Sequence, residues 1–311
     1  MKLINSAIIG SGISAFACSQ AKPRSKVLYT DKKITIKKHK FYELNAFGGN
    51  TNVWGAYVNL FRLNKFKFKF KNKKFKKFIE TNKFFEIKKL TKNNQFRSVG
   101  YLSEKKKNIP FRLNKNHFKN SINFEIERIK IFKKFVELKS DNYKKIKCKE
   151  LNLCVGNISL INLLFKSNII NKDDVISFED GKISYSFKKN SPKKKNYYIP
   201  MTIIQIIKKL FFIPYTYSEN EMYERSLLQI SENKYHAYKV KVIDLLNSSE
   251  NLYRGFNSNH ITNIKINNQT IKNFIKKRTK RVKLFCTGTI NKYLSGSIAQ
   301  DLIYNAYCQK F

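Results

Sequence analysis

Residues 3–31, LINSAIIGSGISAFACSQAKPRSKVLYTD, carry the reading that decides the fold. Leu3 to Ile9 is a short apolar run of strand character, and it leads straight into Gly10-Ser11-Gly12-Ile13-Ser14-Ala15, a G-x-G-x-x-A loop. Residues 13–21 follow as a short helix that must stop before Pro23. Lys26 to Thr30 then reads as a second strand, closed by Asp31, 21 residues after Gly10. Each part has a chemical reason in a dinucleotide-binding unit. Gly10 makes the tight turn, Gly12 lets a pyrophosphate approach the backbone, and Ala15 lets helix and strand pack closely. The helix N-terminus, at Ile13 and Ser14, presents amide groups to phosphate, and Asp31 can accept hydrogen bonds from a ribose diol. A carboxylate there suits an unphosphorylated adenosine ribose. The same stretch has a second reading, a lipoprotein signal peptide ending at Ala15-Phe16-Ala17-Cys18, but its positive region is the single Lys2.

Composition narrows the class. The chain has 311 residues, enough for one large domain or two closely joined ones. With 42% hydrophobic residues it is too apolar for a disordered chain, and 11 Gly with 5 Pro exclude a collagen-like one. No apolar run reaches the ~18–20 residues that a spanning helix needs. Lys and Arg number 63 against 21 Asp and Glu, a formal charge of +42. Such a charge suggests nucleic acid or an anionic membrane. However, Lys, Asn, Ile and Phe together make 151 of the 311 residues, and all four have codons rich in A and T. Genome bias alone would produce this excess. Five scattered cysteines without a C-x-x-C pair argue against a zinc site or a disulfide framework, so no metal is expected and a reducing, cytoplasmic compartment is.

Two later segments extend the first. Phe47-Gly48-Gly49-Asn50-Thr51-Asn52-Val53-Trp54-Gly55 contains three of the glycines and the only Trp. It is either a loop whose amides face a ligand or a turn whose Trp fills the core. Residues 122–131, 133–139 and 144–155 alternate apolar and polar positions as strands, the last closing at Gly156, and 158–165 reads as a helix.

In this order the segments resemble the glucose–methanol–choline family of FAD-dependent oxidoreductases, in a shortened and divergent form. GSGISA with Asp31 resembles that family's FAD fingerprint, and FGGNTNVWG its Gly-Gly loop along the flavin. LCVGNISLINLLFKSNI resembles its strand–Gly–helix segment, and KLFCTGTI with LSGSIA its closing strand and flavin-facing helix. About half of the chain is covered; 60–120 and 171–250 are not. The resemblance implies FAD as cofactor and adds contacts. Gly48, Gly49, Asn50, Thr51, Asn52 and Trp54 would lie along the flavin. Ile126 and Ile129 would lie where the family's backbone touches adenine, with strand core as their other reading. Gly156 would be a further cofactor contact, Gly288 would put its strand against the pyrophosphate, and Ser297 and Ile298 would begin a helix facing the flavin N1/O2 edge, where its dipole stabilises negative charge.

The resemblance also implies oxidation of an alcohol group, for which a base must take the hydroxyl proton. His260, in Asn-His-Ile-Thr, stands where the family carries a His and is the candidate base; a solvated loop His is its other reading. Ser295 takes the place of the second catalytic His or Asn, with Asn291 the neighbouring candidate. Asn263 replaces the usual Gly, and the usual Asn-Pro is absent. Ser accepts protons poorly, so a slow or inactive relative is the second reading: a basic binding protein on a flavoprotein fold, acting at an anionic membrane or nucleic acid. His39 and His117 lie among polar residues and are expected at the surface, and His236 on a strand.

Lys65 to Lys71, KFKFKFK, alternates so that three Phe point inward and four Lys into water. Residues 202–213 form an apolar helix that is either buried or, with Lys193 to Lys195, peripheral on an anionic bilayer. The expected fold class is α/β: a two-dinucleotide-binding (Rossmann-like) FAD domain from 1–60, 116–170 and 251–311, with a small β-rich substrate domain inserted as 61–115 and 171–250. The expected partner is a small-molecule alcohol, with a sugar or sugar-lipid as the candidate, the membrane as a candidate peripheral contact and nucleic acid not expected.

Overall fold

A computed structural model describes residues 3–30, 34–38, 41–52, 57–59, 73–89, 99–105, 109, 111–182, 235–247, 262–267, 269–286 and 298–309. In chain order the first half comprises β1 (Leu3–Ile9), α1 (Ile13–Ala21), β2 (Lys26–Tyr29), β3 (Ile34–Lys38), β4 (Phe41–Asn45), β5 (Tyr57–Asn59), α2 (Lys73–Thr81), β6 (Phe85–Lys89) and β7 (Val99–Glu104). There follow β8 (Ser121–Asn123), β9 (Ile126–Ile131), β10 (Val136–Ser140), β11 (Lys145–Leu153), α3 (Asn157–Lys166) and β12 (Val175–Lys182). The remainder is β13 (Tyr235–Lys241), α4 (Val242–Asn247), β14 (Thr262–Asn267), α5 (Gln269–Arg278), β15 (Val282–Leu284) and α6 (Ile298–Tyr307).

The main sheet runs β8-β2-β1-β11, with β15 beside β11, and every pairing in that row is parallel. A parallel strand at the centre must be apolar on both faces. In β1, Ala7 and Ile9 pack with Leu151 and Leu153 in one core, while Ile8 packs with α1 in the other. α3 and α5 contribute to the first core, and α1 and α6 to the second, so the sheet is covered on both sides. α1 ends where expected. Lys22 N–H donates to Cys18 O at 2.9 Å and Pro23 follows, which cannot continue the helix.

β11 is the junction of the fold. Its Lys145–Cys148 half pairs antiparallel with β10, and its Leu151–Leu153 half pairs parallel with β15 along the same edge. The β9-β10-β11 meander thus feeds into the parallel sheet, and α3 leaves after it with Gly156 as N-cap.

Two sequence expectations are corrected here. The run 122–131 is two strands, not one. β8 pairs with β2 and is extended by Phe124 N–H donating to Tyr29 O at 2.8 Å, whereas from Ile126 onward the chain pairs with β10. Apolar residues at 122, 124 and 126 keep one phase across the break, and the phase changes only at Glu127-Arg128, inside β9, so periodicity does not mark the break itself. Nor does the next strand start at residue 133. Phe132 N–H donates to Phe135 O at 2.9 Å, closing a turn over Lys133 and Lys134, and β10 begins at Val136.

The regions without family resemblance share these cores. Phe85, Leu102, Phe111 and Leu113 bury against Phe16 of α1, with the Phe16 and Phe111 ring centroids 5.7 Å apart. Val242 of α4 joins the core under α3. β5-β7-β6 and β13-β12-β14 are antiparallel sheets, and β3-β4 is a hairpin. Residues 65–71 and 193–213 lie outside the described residues. No helix among the described residues is long and apolar enough to cross a membrane.

Candidate functional site

In an open parallel sheet a ligand crevice forms at the C-terminal ends of the strands, where the chain leaves in opposite directions. Here that point lies between β1, followed by α1 toward β2, and β11, followed by α3 toward β15. Gly10 is wedged there: its N–H donates to Leu28 O at 2.9 Å, and Cys154 N–H donates to Ile9 O at 2.8 Å. With φ at +110°, a Cβ on Gly10 would stand 2.4 Å from Cys154 O. Gly10 is therefore glycine because the protein's own backbone demands it.

Gly12 is different. Its φ of −78° suits any residue, and a Cβ would meet only Thr51 Oγ1 at 3.5 Å and Gly48 O at 3.7 Å, ordinary contacts. Among the described residues no packing contact requires glycine at 12. A Cβ would have room there, in the place where a pyrophosphate would approach.

The Gly-Gly turn is tied to this loop. Gly48 N–H donates to Ser11 Oγ at 3.0 Å, and Ile13 N–H donates to Thr51 Oγ1 at 2.9 Å. Thr51 thus holds the first amide of α1, and its own hydroxyl proton remains to be given to a ligand. Gly48 at φ +82° and Gly49 at φ +51° permit the turn, and a Cβ on Gly48 would strike the Asn52 side chain. Asn52 is a bracket: its Nδ2 donates to Phe47 O and Leu113 O at 3.1 and 2.9 Å, and its Oδ1 accepts from Leu113 N–H at 2.7 Å.

That bracket brings in a residue the sequence did not flag. Arg112 Nη1 lies 3.3 Å from Phe111 O and 3.5 Å from Thr51 O. Burial brings its pKa down to about 10, so it stays a cation at neutral pH, and no carboxylate pairs with it among the described residues. A half-buried cation beside a helix N-terminus makes this end of the sheet favourable for an anion.

Of the other expected contacts, Ser14 and Ala15 are buried in the first turn of α1, Ala15 with no exposure. Ile126 opens β9, three residues after the end of β8, half-buried against the core. Gly156 caps α3, Asn50 lies in the 3-10 turn Gly49–Asn52, and Ile298 begins α6. Asp31, Trp54, Gly288, Ser297 and all three candidate catalytic residues, His260, Ser295 and Asn291, lie outside the described residues, as does His39.

No family model matches the chain, and no curated protein matches it. Solved structures of similar shape include a flavin-containing monooxygenase from Stenotrophomonas maltophilia, at 8% identity over 51% of this chain and 40% of that one, TM-score 0.28. A pyridoxine 4-oxidase from Mesorbium loti has 8% identity over 57% of this chain and 58% of that one, TM-score 0.37. A flavoprotein/dehydrogenase from Cytophaga hutchinsonii has 11% identity over 98% and 76%, TM-score 0.35. The chain spans two-fifths of the length of the first and under three-fifths of the second. Scores this low establish neither family nor activity.

One further expectation is corrected. His117 is not at the surface but 7% exposed, 4.7 Å from the Phe84 ring and 5.2 Å from that of Phe111. Its Nδ1 accepts from Asn114 N–H at 2.9 Å. Burial lowers its pKa, outweighing the Glu104 carboxylate, which raises it. Its polar neighbours in sequence are replaced by aromatic ones in space. Among the described residues no three His, Cys, Asp or Glu side chains gather as a metal site would require.

Proposed function

We propose that this chain is a flavoprotein that binds FAD across the C-terminal ends of β2, β1 and β11 and oxidises an alcohol group, in the manner of the glucose–methanol–choline family its segments resemble. The observation that carries the reading is Gly12, a glycine that no contact among the described residues requires, at the N-terminus of α1. The residues present fit the group. Gly12 admits the pyrophosphate, the Thr51 hydroxyl donates to it, and Arg112 balances its charge. Asp31 would take the ribose diol and Ile126 the adenine edge. Gly48, Gly49 and Asn50 would line the ring, and Ser297 together with Ile298, the first residue of α6, would face its anionic side.

When bound, FAD supplies the two-electron acceptor for a hydride. The chain's own part would be proton transfer and positioning: His260 would take the hydroxyl proton, while Ser295 or Asn291 would orient the alcohol oxygen. The test is anaerobic bleaching of the flavin by a panel of primary and secondary alcohols, sugars among them. A responding alcohol supports the reading, and His260→Ala should then keep FAD while slowing bleaching by ~10²–10⁴-fold. A protein that holds FAD but is reduced by no alcohol in the panel would overturn the alcohol oxidation and leave the cofactor.

A further inference from the structure

At the opposite end of the sheet, the two partners of β11 part company. β10 pairs with β11 up to Cys148 and β15 only from Leu151, which leaves Lys149 and Glu150 facing a gap. The gap is a cavity of about 540 Å³, walled by the β9–β10 turn, by Lys149 and Glu150, and by the 278–281 connection into β15. Arg281 pins these walls together: its Nε donates to Lys133 O at 3.0 Å and its Nη1 to Lys149 O at 3.2 Å.

The lining is strongly one-sided in charge. Lys133, Lys149, Arg278, Lys280 and Arg281 all border it, against one carboxylate, Glu150. Glu150 is already shared by Lys22 and Lys283, the latter at 3.3 Å, so it adds no net negative charge. Phe132 also borders the cavity; it is 42% exposed and stacked on Phe135 at 4.7 Å between centroids, with Lys147 Nζ 4.9 Å from the Phe135 ring. An open cleft of ligand size, several cations and an accessible flat ring are the elements from which proteins bind base and phosphate together.

We infer that this cleft is a second binding site, separate from the dinucleotide crest, for a nucleoside bearing two or more phosphates, free or as part of a single strand. The phosphates lie among Lys133, Lys149, Lys280 and the two arginines, and the base lies on Phe132. A single phosphate would leave most of the cations facing one another, which is why the ligand carries at least two.

Uridine triphosphate is the probe, because without adenine it does not compete for the proposed FAD site; a failure here leaves that reading standing. Calorimetric titration of the full chain at about 0.1 M salt, where long-range charge is screened beyond ~10 Å, should show saturable binding. The Lys133→Glu, Lys149→Glu, Lys280→Glu triple variant should weaken it about tenfold or more. A control with the same change in net charge, Lys26→Glu, Lys83→Glu and Lys119→Glu, should stay within about twofold of the wild type. Should the first triple melt early, Lys133→Glu with Lys280→Glu, both outside the strands, replaces it. Phe132→Ser should weaken uridine triphosphate and spare inorganic triphosphate. A short oligothymidylate binding more tightly than uridine triphosphate identifies a single strand as the source; weaker binding identifies the free nucleotide. Equal weakening in both triple variants, or no binding by the wild type, overturns the site, and an unchanged Phe132→Ser overturns the nucleoside part.

Discussion

Replacing Gly10 and Gly12 separately by Ala should produce opposite failures. At Gly10 the added Cβ would be 2.4 Å from the Cys154 oxygen, on a backbone with φ +110°. Cys154 cannot retreat freely, because its N–H is bonded to Ile9 O within the sheet. Backbone strain of roughly 1–3 kcal/mol and overpacking of about 1–3 kcal/mol add to a loss of about 2–6 kcal/mol. With ~2 cal/mol/K of unfolding entropy per residue, a 311-residue chain would melt about 3–9 °C lower. At Gly12 the Cβ would make only ordinary contacts, at 3.5 and 3.7 Å, so stability should change by less than about 0.5 kcal/mol. Its methyl nevertheless fills the approach to the α1 N-terminus, and FAD affinity should fall at least about tenfold, or ~1.4 kcal/mol. Thermal melts and flavin fluorescence titrations of the two variants read the two effects independently. A Gly12→Ala protein that binds FAD like the wild type, or a Gly10→Ala protein that melts like it, would refute this division of roles.

Three other outcomes are expected. Thr51→Val removes the acceptor of the Ile13 N–H while keeping shape; it should cost about 1 kcal/mol of stability in denaturant unfolding and weaken FAD as well. Arg112→Met should lower FAD affinity by about 10- to 100-fold in the same titration, as loss of a charge-assisted contact worth ~1.5–3 kcal/mol does, with far-UV circular dichroism unchanged. His117 is held neutral by burial, so its folded pKa lies below its unfolded one near ~6.5. Its stabilising contribution is complete above that value and is lost as pH falls through it toward the folded value. His117→Phe should flatten the stability–pH curve from about pH 7 to 5, and a curve as steep as the wild type's would remove His117 as its cause.

Much of the fold was legible because its signals are local. The β1–α1–β2 unit could be read from residues 3–30 alone: an apolar run, glycines at 10 and 12, and a proline at 23 set its boundaries, and the helix spans 13–21 in sequence and structure alike. The division of 122–131 was hidden because the alternation runs on through Ile122, Phe124 and Ile126, across the point where the chain leaves β2 for β10. Within the candidate site, glycine marks Gly10, Gly12 and Gly48 by type. Arg112 carries no such mark, since its contact with Thr51 spans 61 residues of chain and exists only after folding. His117 misled for the same reason, because the rings around it come from Phe16, Phe84 and Phe111. The basic cleft was invisible too: its walls come from residues 131–133, 149–150 and 278–281, and its lysines look like any others in a lysine-rich chain.

The central claim is that FAD belongs to the C-terminal end of this sheet, and equilibrium titration of FAD into the purified full-length chain tests it most directly. The account predicts saturation near one FAD per chain, with the flavin fluorescence changed on binding and the same stoichiometry lost in Gly12→Ala. A folded, colourless chain that takes up no FAD at concentrations far above those of ordinary flavoproteins would contradict it.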